Sequence, residues 1–316
     1  MDDAQDRYES EYAEPQLDRA RRTRQNPRHR PPLELAETPE NAIDEFQTTY
    51  RPSRFEGGWL QSSLSTFYQQ NLICDVLSHV KGGKEASVYC CAAHPSTGME
   101  LVAAKVYRPR QFRNLRNDMM YREGRALLTA DGNVAKRTDH RLMRAVGKKS
   151  EFGVQVQHTS WLMYEYTTLE RLYNAGASVP RPLGAAENAI LMGYQGDAQR
   201  GAPTLSEVRL EAGEAELLFR EALRNIELML QLDVIHGDLS AYNILYWEGK
   251  ITLIDFPQVS SVAANSQARF ILQRDITRTC QYFQHQCVDS DPDAIAEDFW
   301  KRNAADRVRP LPDLPE

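Results

Sequence analysis

Three polar side chains in the second half of the chain have the types and the spacing that phosphoryl transfer requires. Asn243 follows Asp238 by five residues, and Asp255 comes after a short predicted hairpin. Transfer from a nucleotide needs one carboxylate that accepts or orients the attacking hydroxyl, and an amide and a second carboxylate that hold magnesium against the phosphates. The pattern therefore predicts that Asp238 is catalytic and that Asn243 and Asp255 are ligands of Mg²⁺.

The surrounding elements are predicted to place these residues at the ends of strands. Residues 234–235, 244–246 and 251–254 are short apolar runs typical of strands, and residues 248–250 form a predicted tight turn. Loops at such positions present functional side chains on a rigid scaffold. An Asp followed five residues later by an Asn is common in loops. The second aspartate, Asp255, at its position directly after the hairpin is what favours a catalytic interpretation.

The region ahead of this loop is predicted to be a β-meander, as expected for the start of a nucleotide-binding lobe. Its three strands cover residues 75–80, 86–93 and 101–107, and the turns between them contain Gly or Pro. Lys105 lies in the third strand between small and apolar residues, which favours a position facing a cleft. The alternative is an edge-strand lysine that points to solvent.

Helical spacing of apolar residues continues beyond the meander. Three helices are predicted, over residues 160–175, 214–232 and 268–285. Glu165 lies on the first helix, where a Glu is usually a solvated surface residue, but it could pair with Lys105 and orient that lysine toward nucleotide phosphates. A predicted strand over residues 189–194 has a polar, Gly-containing exit, which indicates a hinge between two lobes.

The segment 108–149 is strongly basic, with twelve Lys or Arg against four Asp or Glu. One interpretation is a mobile surface loop with a solvated basic face. The other is a lid or a contact surface for a phosphate-rich partner such as RNA or a ribosomal particle. The sequence leaves both open.

Composition limits the class of protein. The 316 residues allow two lobes plus tails, and the net charge of -6 argues against non-specific nucleic-acid binding by the whole surface. Five cysteines without CxxC spacing predict reduced thiols and a cytoplasmic location. There is no apolar run long enough for a membrane span and no signal peptide, so no membrane contact is expected. Residues 1–58 are predicted to be a disordered polar tail, and residues 291–316 a C-terminal tail.

The motifs, taken in order, resemble those of the RIO family of atypical serine/threonine protein kinases over roughly residues 75–285. Ordinary protein kinases carry H-R-D-x-x-x-x-N and D-F-G, whereas this chain has Gly237 in place of the Arg and Pro257 in place of the last Gly. The matching segments are Gly83-Lys84-Glu85-Ala86-Ser87-Val88-Tyr89, Ala104-Lys105-Val106-Tyr107, Trp161 with Glu165, Arg171-Leu172 and Ala175-Gly176, Val179-Pro180-Arg181-Pro182, Ala202-Pro203, His236-Gly237-Asp238-Leu239-Ser240 with Asn243, and Ile254-Asp255-Phe256-Pro257-Gln258.

The resemblance implies an α+β, two-lobed protein-kinase-like fold over residues 59–290. A small, mainly β N-lobe would cover about 59–194, and a mainly helical C-lobe without the usual activation segment would cover about 195–290. ATP and Mg would be the cofactors, and Asp255 would be both a metal ligand and a candidate phosphoacceptor in an ATPase-like cycle. The residues expected to bind the nucleotide are Gly83, Lys84, Glu85, Ser87, Val88, Lys105, Glu165, Met192, Tyr194 and Asn243.

The resemblance leaves the acceptor unknown. A protein substrate and a role in ribosome maturation are what the family implies. Small-molecule phosphotransferases that act on aminoglycosides or choline also use H-G-D-L-x-x-x-N-I-L, so the catalytic loop alone does not exclude them. The third interpretation is a nucleotide-switched, non-catalytic assembly factor. The complete set of Lys105, Asp238, Asn243 and Asp255 counts against a dead enzyme, although a conformational ATPase would keep the same residues.

Overall fold

The fold is described by a computed structural model that covers residues 48–83, 85–108, 123, 125–136, 138–148 and 150–303. These residues belong to one folding unit, Asp44–Glu316. Residues 1–47 of the predicted N-terminal tail and 304–316 of the predicted C-terminal tail lie outside the described residues, as does Lys84.

An antiparallel sheet of five strands in the order β1-β2-β3-β5-β4 forms the first lobe. The strands are β1 (Ile73–Gly82), β2 (Ala86–Ala93), β3 (Leu101–Tyr107), β4 (Pro182–Ala185) and β5 (Ala189–Gly193). Side chains alternate between the two faces of each strand, so each face can enter a different core. The bounds of β2 and β3 agree with the prediction, and β1 extends beyond the predicted 75–80 at both ends.

Helix α1 (Arg54–Gln69) covers one face of this sheet. Leu60, Leu64 and Phe67 recur at helical spacing and are fully buried among apolar residues of β1, β2, β3 and β5. The helix begins before residue 59, where the sequence analysis places the start of the domain. The backbone N–H of Ser53 donates to Oε2 of Glu56 at 3.3 Å. This capping contact stabilises the N-terminus of the helix at its earlier position.

Helix α3 (Glu151–Asn174) covers the opposite face and follows the short helix α2 (His140–Gly147). Tyr107 and Ile190 from the sheet pack with Trp161 and Leu162 from α3. The first long helix begins well before the predicted residue 160, because Ser150 caps it by accepting from the N–H of Gly153 at 3.2 Å. The segment 108–149 also contains a regular helix, so the interpretation of this segment as a loop is wrong for the residues of α2.

The second lobe is mainly helical. It contains α4 (Ala212–Gln231), α5 (Ala268–His285), α6 (Pro292–Asn303) and the hairpin of β6 (Ile244–Trp247) and β7 (Lys250–Leu253). One apolar core joins these elements, and Phe299 of α6 belongs to it, so a boundary at residue 290 leaves out a packed helix. Only residues 254–267 separate β7 from α5. The predicted α+β fold, with a mainly β first lobe and a mainly helical second lobe, is confirmed.

Residues 234–235 do not form a strand; Ile235 makes only an isolated antiparallel bridge with Ser260. All five cysteines lie in the described part of the chain and carry free thiols, as predicted. Within the described residues, no helix combines the length and apolar character needed to cross a membrane.

Candidate active site

Lys105 faces the cleft because of the alternation along β3. Val106, one residue further along, packs in the core beneath α1, whereas Tyr107, two residues further along, packs in the cluster beside α3. Lys105 shares the α3 side of the sheet with Tyr107. Its Nζ lies 2.5 Å from Oε1 of Glu165 on α3. The predicted pairing of the lysine with Glu165 is therefore present.

A second carboxylate completes this group. Nζ of Lys105 also donates to Oδ1 of Asp255, and the hydroxyl of Tyr107 donates to Oε2 of Glu165. The Lys105 and Glu165 side chains are 12% and 4% exposed, whereas that of Asp255 is 42% exposed. The cleft therefore ends in a buried cation that is held between a buried carboxylate and an accessible one.

The charges of this group stabilise one another. Burial acts to lower the pKa of Lys105, but the Asp255 and Glu165 carboxylates outweigh it and hold that pKa well above its ordinary value. Burial acts to raise the pKa of Asp255, and the Lys105 ammonium reverses this and holds the pKa below its ordinary value. Lys105 and Asp255 are consequently both charged at neutral pH. Burial, reinforced by Glu165, raises the pKa of the Tyr107 hydroxyl, which stays protonated as a donor.

The turn that carries Asp238 requires glycine at position 237. Gly237 has φ 85°, and a Cβ there would lie 2.3 Å from the carbonyl oxygen of Gln258. Helix α5 holds the turn from both sides of this residue. The Gly237 N–H donates to Oδ2 of Asp275 at 2.8 Å, and Arg274 donates to the Gly237 carbonyl. Burial raises the pKa of Asp275 to about 7.

His236 links the two loops of the site. Its Nδ1 accepts from the N–H of Asp238 at 3.3 Å, so its Nε2 carries the proton and donates to the carbonyl of Ile254 at 3.1 Å. Burial lowers the pKa of His236, which keeps the ring in this neutral form. The ring also packs 4.9 Å from that of Phe256. His236 thereby fixes the spacing between the Asp238 turn and the Asp255 loop.

Asn243 lies between the two predicted aspartates. Its Nδ2 donates to the Asp238 carbonyl at 2.9 Å, and its own carbonyl accepts from the N–H of Ile254 at 3.0 Å. Asp255 itself has φ 72°, a left-handed conformation that is uncommon for a residue other than glycine. The structure therefore brings Asp238, Asn243 and Asp255 into adjoining turns, as the sequence predicts.

The oxygen donors of this group fit Mg²⁺. The described residues contain no group of three or more His, Cys, Asp or Glu side chains suited to a metal ion. Magnesium is commonly held by one or two protein carboxylates together with substrate phosphates and water, so a large cluster is not needed. Asn243 uses its amide nitrogen toward Asp238, so its side-chain oxygen is left as an oxygen donor, and the Asp255 carboxylate is accessible.

The predicted phosphate-loop residues fall into two groups. The N–H of Gly83 donates to the Ala86 carbonyl at 2.8 Å and closes the turn, where Glu85 also lies, and Val88 pairs directly opposite Lys105. Ser87 is only 3% exposed and lies on the α1 side of β2 with Tyr89. The structure does not bring the Ser87 side chain to the Lys105 face, because adjacent strand residues point to opposite faces.

The predicted hinge residues lie where the two lobes meet. Met192 is half-buried and packs against both the α3-side cluster and the core of the second lobe. Burial raises the pKa of the Tyr194 hydroxyl to about 12, and this ring packs near Gly201. Met192 therefore borders both lobes, and Tyr194 lies two residues further along the chain.

Several contacts of the site could not be identified from the sequence. Tyr107 on β3 contacts Glu165, and Asp275 and Arg278 on α5 contact the Asp238 turn, the latter through an ion pair of 2.9 Å to Asp238. The i, i+4 spacing of Arg274 and Arg278 puts them on one helix face, but it does not identify the surface that this face meets.

The sequence of this chain matches a known protein family. A family model described as the RIO domain matches residues 88–295, which is more than half of the chain. This chain belongs to the RIO family. The resemblance inferred from the motifs is thereby confirmed, and so is the prediction of an atypical kinase at the level of the family.

RIO relatives match different shares of the chain. The RIO-type serine/threonine-protein kinase Rio1 of Thermoplasma acidophilum is 32% identical over 142 residues, 45% of this chain and 73% of that protein. The serine/threonine-protein kinase RIO1 of Chaetomium thermophilum is 28% identical over 241 residues, 73% of this chain and 43% of that protein. The RIO-type kinase Rio2 of Methanocaldococcus jannaschii is 31% identical over 148 residues, 45% of this chain and 54% of that protein. The matches thus span about half of several relatives.

A solved RIO structure has the same fold. The Rio2 kinase of Chaetomium thermophilum, in a complex with ADP/Mg²⁺ and phosphoaspartate, matches with a TM-score of 0.52 and 19% identity. The match covers 80% of this chain and 70% of that chain. At this identity the likeness establishes the shared two-lobed fold.

Proposed function

We propose that this RIO protein transfers the γ-phosphoryl group of ATP, with Mg²⁺, to a serine or threonine hydroxyl of a protein. The observation that carries the proposal is the hydrogen-bonded group of Lys105, Glu165 and Asp255, with Asp238 and Asn243 in the adjoining turn. The three members of that group come from β3, α3 and the loop after β7. The relatives are named as serine/threonine kinases, which supports this acceptor class.

Each residue would have a distinct role. Lys105 binds the nucleotide phosphates and is oriented by Glu165, while Asn243 and Asp255 hold the cation. When bound, Mg²⁺ neutralises charge on the phosphates. A phosphate oxygen at Lys105 replaces its contact with Asp255, so the Asp255 carboxylate becomes available. Asp238 orients the acceptor hydroxyl and accepts its proton.

The other nucleotide contacts belong to the same proposal. The turn around Gly83 to Glu85 and the side chain of Val88 border the phosphates, and Met192 and Tyr194 border the base at the hinge. The Chaetomium Rio2 structure of the same fold is a complex with ADP and Mg²⁺, which supports a nucleotide of this kind as the ligand. Ser87 would contribute through its backbone, since its side chain is buried on the other face.

An ATPase cycle through Asp255 is a second use of the same site. The Asp255 carboxylate is accessible and lies beside Lys105, and the Chaetomium Rio2 complex contains a phosphoaspartate. In this step an Asp255 oxygen attacks the γ-phosphorus, ADP leaves, and water later releases phosphate from the acyl phosphate. Both uses begin with the same bound ATP.

Labelling with [γ-³²P]ATP separates the two uses. The full chain is incubated with Mg²⁺, with and without a degenerate mixture of serine and threonine peptides, and each product is treated with hydroxylamine. Peptide label that survives hydroxylamine supports the kinase, and label on the chain that hydroxylamine removes supports the Asp255 phosphate. The absence of label on both chain and peptides, without release of phosphate, would contradict the proposal. Labelling that requires an added aminoglycoside or choline would favour the small-molecule alternative.

A contact with RNA or a ribosomal particle is supported by helix α2. His140, Arg141, Arg144 and Lys148 line an open groove of about 400 Å³. Arg141, Arg144 and Lys148 are exposed, and within the described part of the chain none of them is paired with a carboxylate. A role in ribosome maturation and a cytoplasmic location belong to this proposal. Residues 109–122 of the basic segment lie outside the described residues.

The groove is tested by RNA binding at several salt concentrations. The variant Arg141→Ala/Arg144→Ala/Lys148→Ala should bind a structured RNA more weakly and with a smaller salt dependence. Each phosphate contact releases counterions from the RNA on binding, so a variant with fewer contacts releases fewer of them. The control is Arg220→Ala/Arg269→Ala/Lys301→Ala, which removes three exposed cations elsewhere. Equal binding by both triple variants would contradict the assignment.

A further inference from the structure

Among the described residues, Arg278 makes the shortest contact with the Asp238 carboxylate. Its Nη1 lies 2.9 Å from Oδ1 of Asp238. The other carboxylate oxygen, Oδ2, has a contact of 3.5 Å with Nδ2 of Asn243, which is long for a hydrogen bond. The backbone of Asp238 is fixed by His236 and Asn243, but these bonds leave the rotation of the side chain undetermined.

The exposure of the pair shows why the contact matters for geometry. The side chains of Arg278 and Asp238 are each 41% exposed. An exposed carboxylate without a directional partner samples several staggered rotamers. An exposed ion pair contributes little to the stability of the fold, so its main effect is on the direction in which the carboxylate points.

Helix α5 presents Arg278 rigidly. One turn earlier, Arg274 and Asp275 contact the carbonyl and the N–H of Gly237. The apolar side of the helix is buried in the core of the second lobe, with Ile276 and Phe283 fully buried. Arg278 is therefore attached to an element whose position relative to the Asp238 turn is already fixed.

We propose that Arg278 is a positioning residue for phosphoryl transfer, which holds the Asp238 carboxylate in the direction that meets the acceptor hydroxyl. The inference rests on the proposed function. Displacing a catalytic group by about 1 Å can slow a reaction about a hundredfold. In the part of the chain that the structure describes, Arg278 makes no hydrogen bond or ion pair with Lys105, Asn243 or Asp255, so we expect its replacement to leave the binding of the nucleotide unchanged.

The test compares two arginines of the same helix in the full chain. Arg278→Ala and Arg278→Lys are measured beside Arg269→Ala, which removes an exposed ion pair with Glu297 on α6. The probes are Mg²⁺, [γ-³²P]ATP and the degenerate serine and threonine peptide mixture. Melting temperature confirms folding.

We expect kcat to fall about 10- to 100-fold in Arg278→Ala, with KM for ATP and peptide within about twofold. Arg278→Lys should recover part of the loss, because a cation still reaches the carboxylate, and Arg269→Ala should match the wild type. In an Asp238→Ala background, Arg278→Ala should add less than about a twofold loss, since no carboxylate remains to be positioned.

Four results overturn the inference. They are equal rates in Arg278→Ala and Arg269→Ala, a higher rate in Arg278→Ala, a loss confined to KM for the peptide, and an undiminished loss in the Asp238→Ala background. The last two would make Arg278 a direct acceptor contact. If Asp238→Ala alone transfers phosphate at the wild-type rate, the role proposed for Asp238 fails as well. That outcome is distinct from a failure of Arg278 alone.

Discussion

Nζ of Lys105 on β3 and Oε1 of Glu165 on α3 lie 2.5 Å apart in a nearly buried ion pair. The contact joins the sheet of the first lobe to the helix beside the cleft. It also limits the lysine to one direction, toward the accessible carboxylate of Asp255. The pair thus links the packing of the lobe to the position of the proposed phosphate-binding cation.

Replacing this lysine should affect both turnover and stability. In Lys105→Ala we expect a loss of about a hundredfold in ATP turnover, since a fixed cationic contact to phosphate is removed. Unfolding free energy should fall by up to about 3 kcal/mol, because Glu165 keeps a buried carboxylate without its cation, although Tyr107 still donates to it. Turnover and thermal melting measure these effects.

Lys301→Ala is the matched control for that variant. It removes an exposed lysine that pairs with Glu297 at 3.2 Å. Turnover and melting temperature should stay close to those of the wild type. Wild-type turnover in a folded Lys105→Ala protein would mean that β3 does not supply the phosphate contact.

The two proposed carboxylates of the reaction should separate in their effects. Asp255→Asn should abolish Mg²⁺-dependent turnover, since an amide lacks the charge that holds the cation. Asp238→Asn should slow transfer while leaving ATP affinity within about twofold, because Asp238 positions the acceptor. Isothermal titration with Mg²⁺-ATP, beside steady-state kinetics, distinguishes the two. If both variants lost affinity for Mg²⁺-ATP to the same extent and had no other defect, the separate roles of Asp238 and Asp255 would be refuted.

Gly237→Ala should destabilise the protein and disturb the Asp238 turn. The new Cβ would lie 2.3 Å from the Gln258 carbonyl, at a φ of 85°. Strain of this kind costs roughly 1–3 kcal/mol. Gly213→Ala on α4 is the control, since a Cβ there has no neighbour within 4 Å and alanine favours a helix. Urea unfolding should rank Gly237→Ala below the wild type and Gly213→Ala at or above it; the reverse order would rule out this account of the turn.

Asp275 should make stability depend on pH. Its pKa is raised by burial to about 7 in the folded protein, whereas an exposed Asp titrates near 3.9. Between these values the folded state binds more protons than the unfolded state, so this residue's contribution to stability falls as pH rises and is constant above about 7. The largest slope is about 1.4 kcal/mol per pH unit.

The variant Asp275→Asn isolates this effect. Its side-chain oxygen can still accept from the N–H of Gly237, but it does not titrate. The unfolding free energy of the variant minus that of the wild type should rise from pH 4 to 7 and then level off. A difference that is flat across this range would show that burial does not perturb Asp275.

The short-range features of the fold and site could be predicted from the sequence. The bounds of β2, β3 and α5 agree with prediction, because alternation, helical spacing and turn residues are local signals. The close approach of Asp238, Asn243 and Asp255 was likewise predictable, since a short hairpin connects their loops. The family followed from motifs of this kind.

Only the tertiary structure decided which distant elements meet. The sequence could suggest that Lys105 pairs with Glu165, but whether the ion pair forms depends on how α3 packs on the sheet. The contact of Arg278 with Asp238 was not foreseen, because helical periodicity identifies a face but not the surface that it covers. The burial of Ser87 away from the cleft follows from the packing of α1 on one side of the sheet. Such contacts depend on side chains far apart in sequence, whose packing is determined by the whole core.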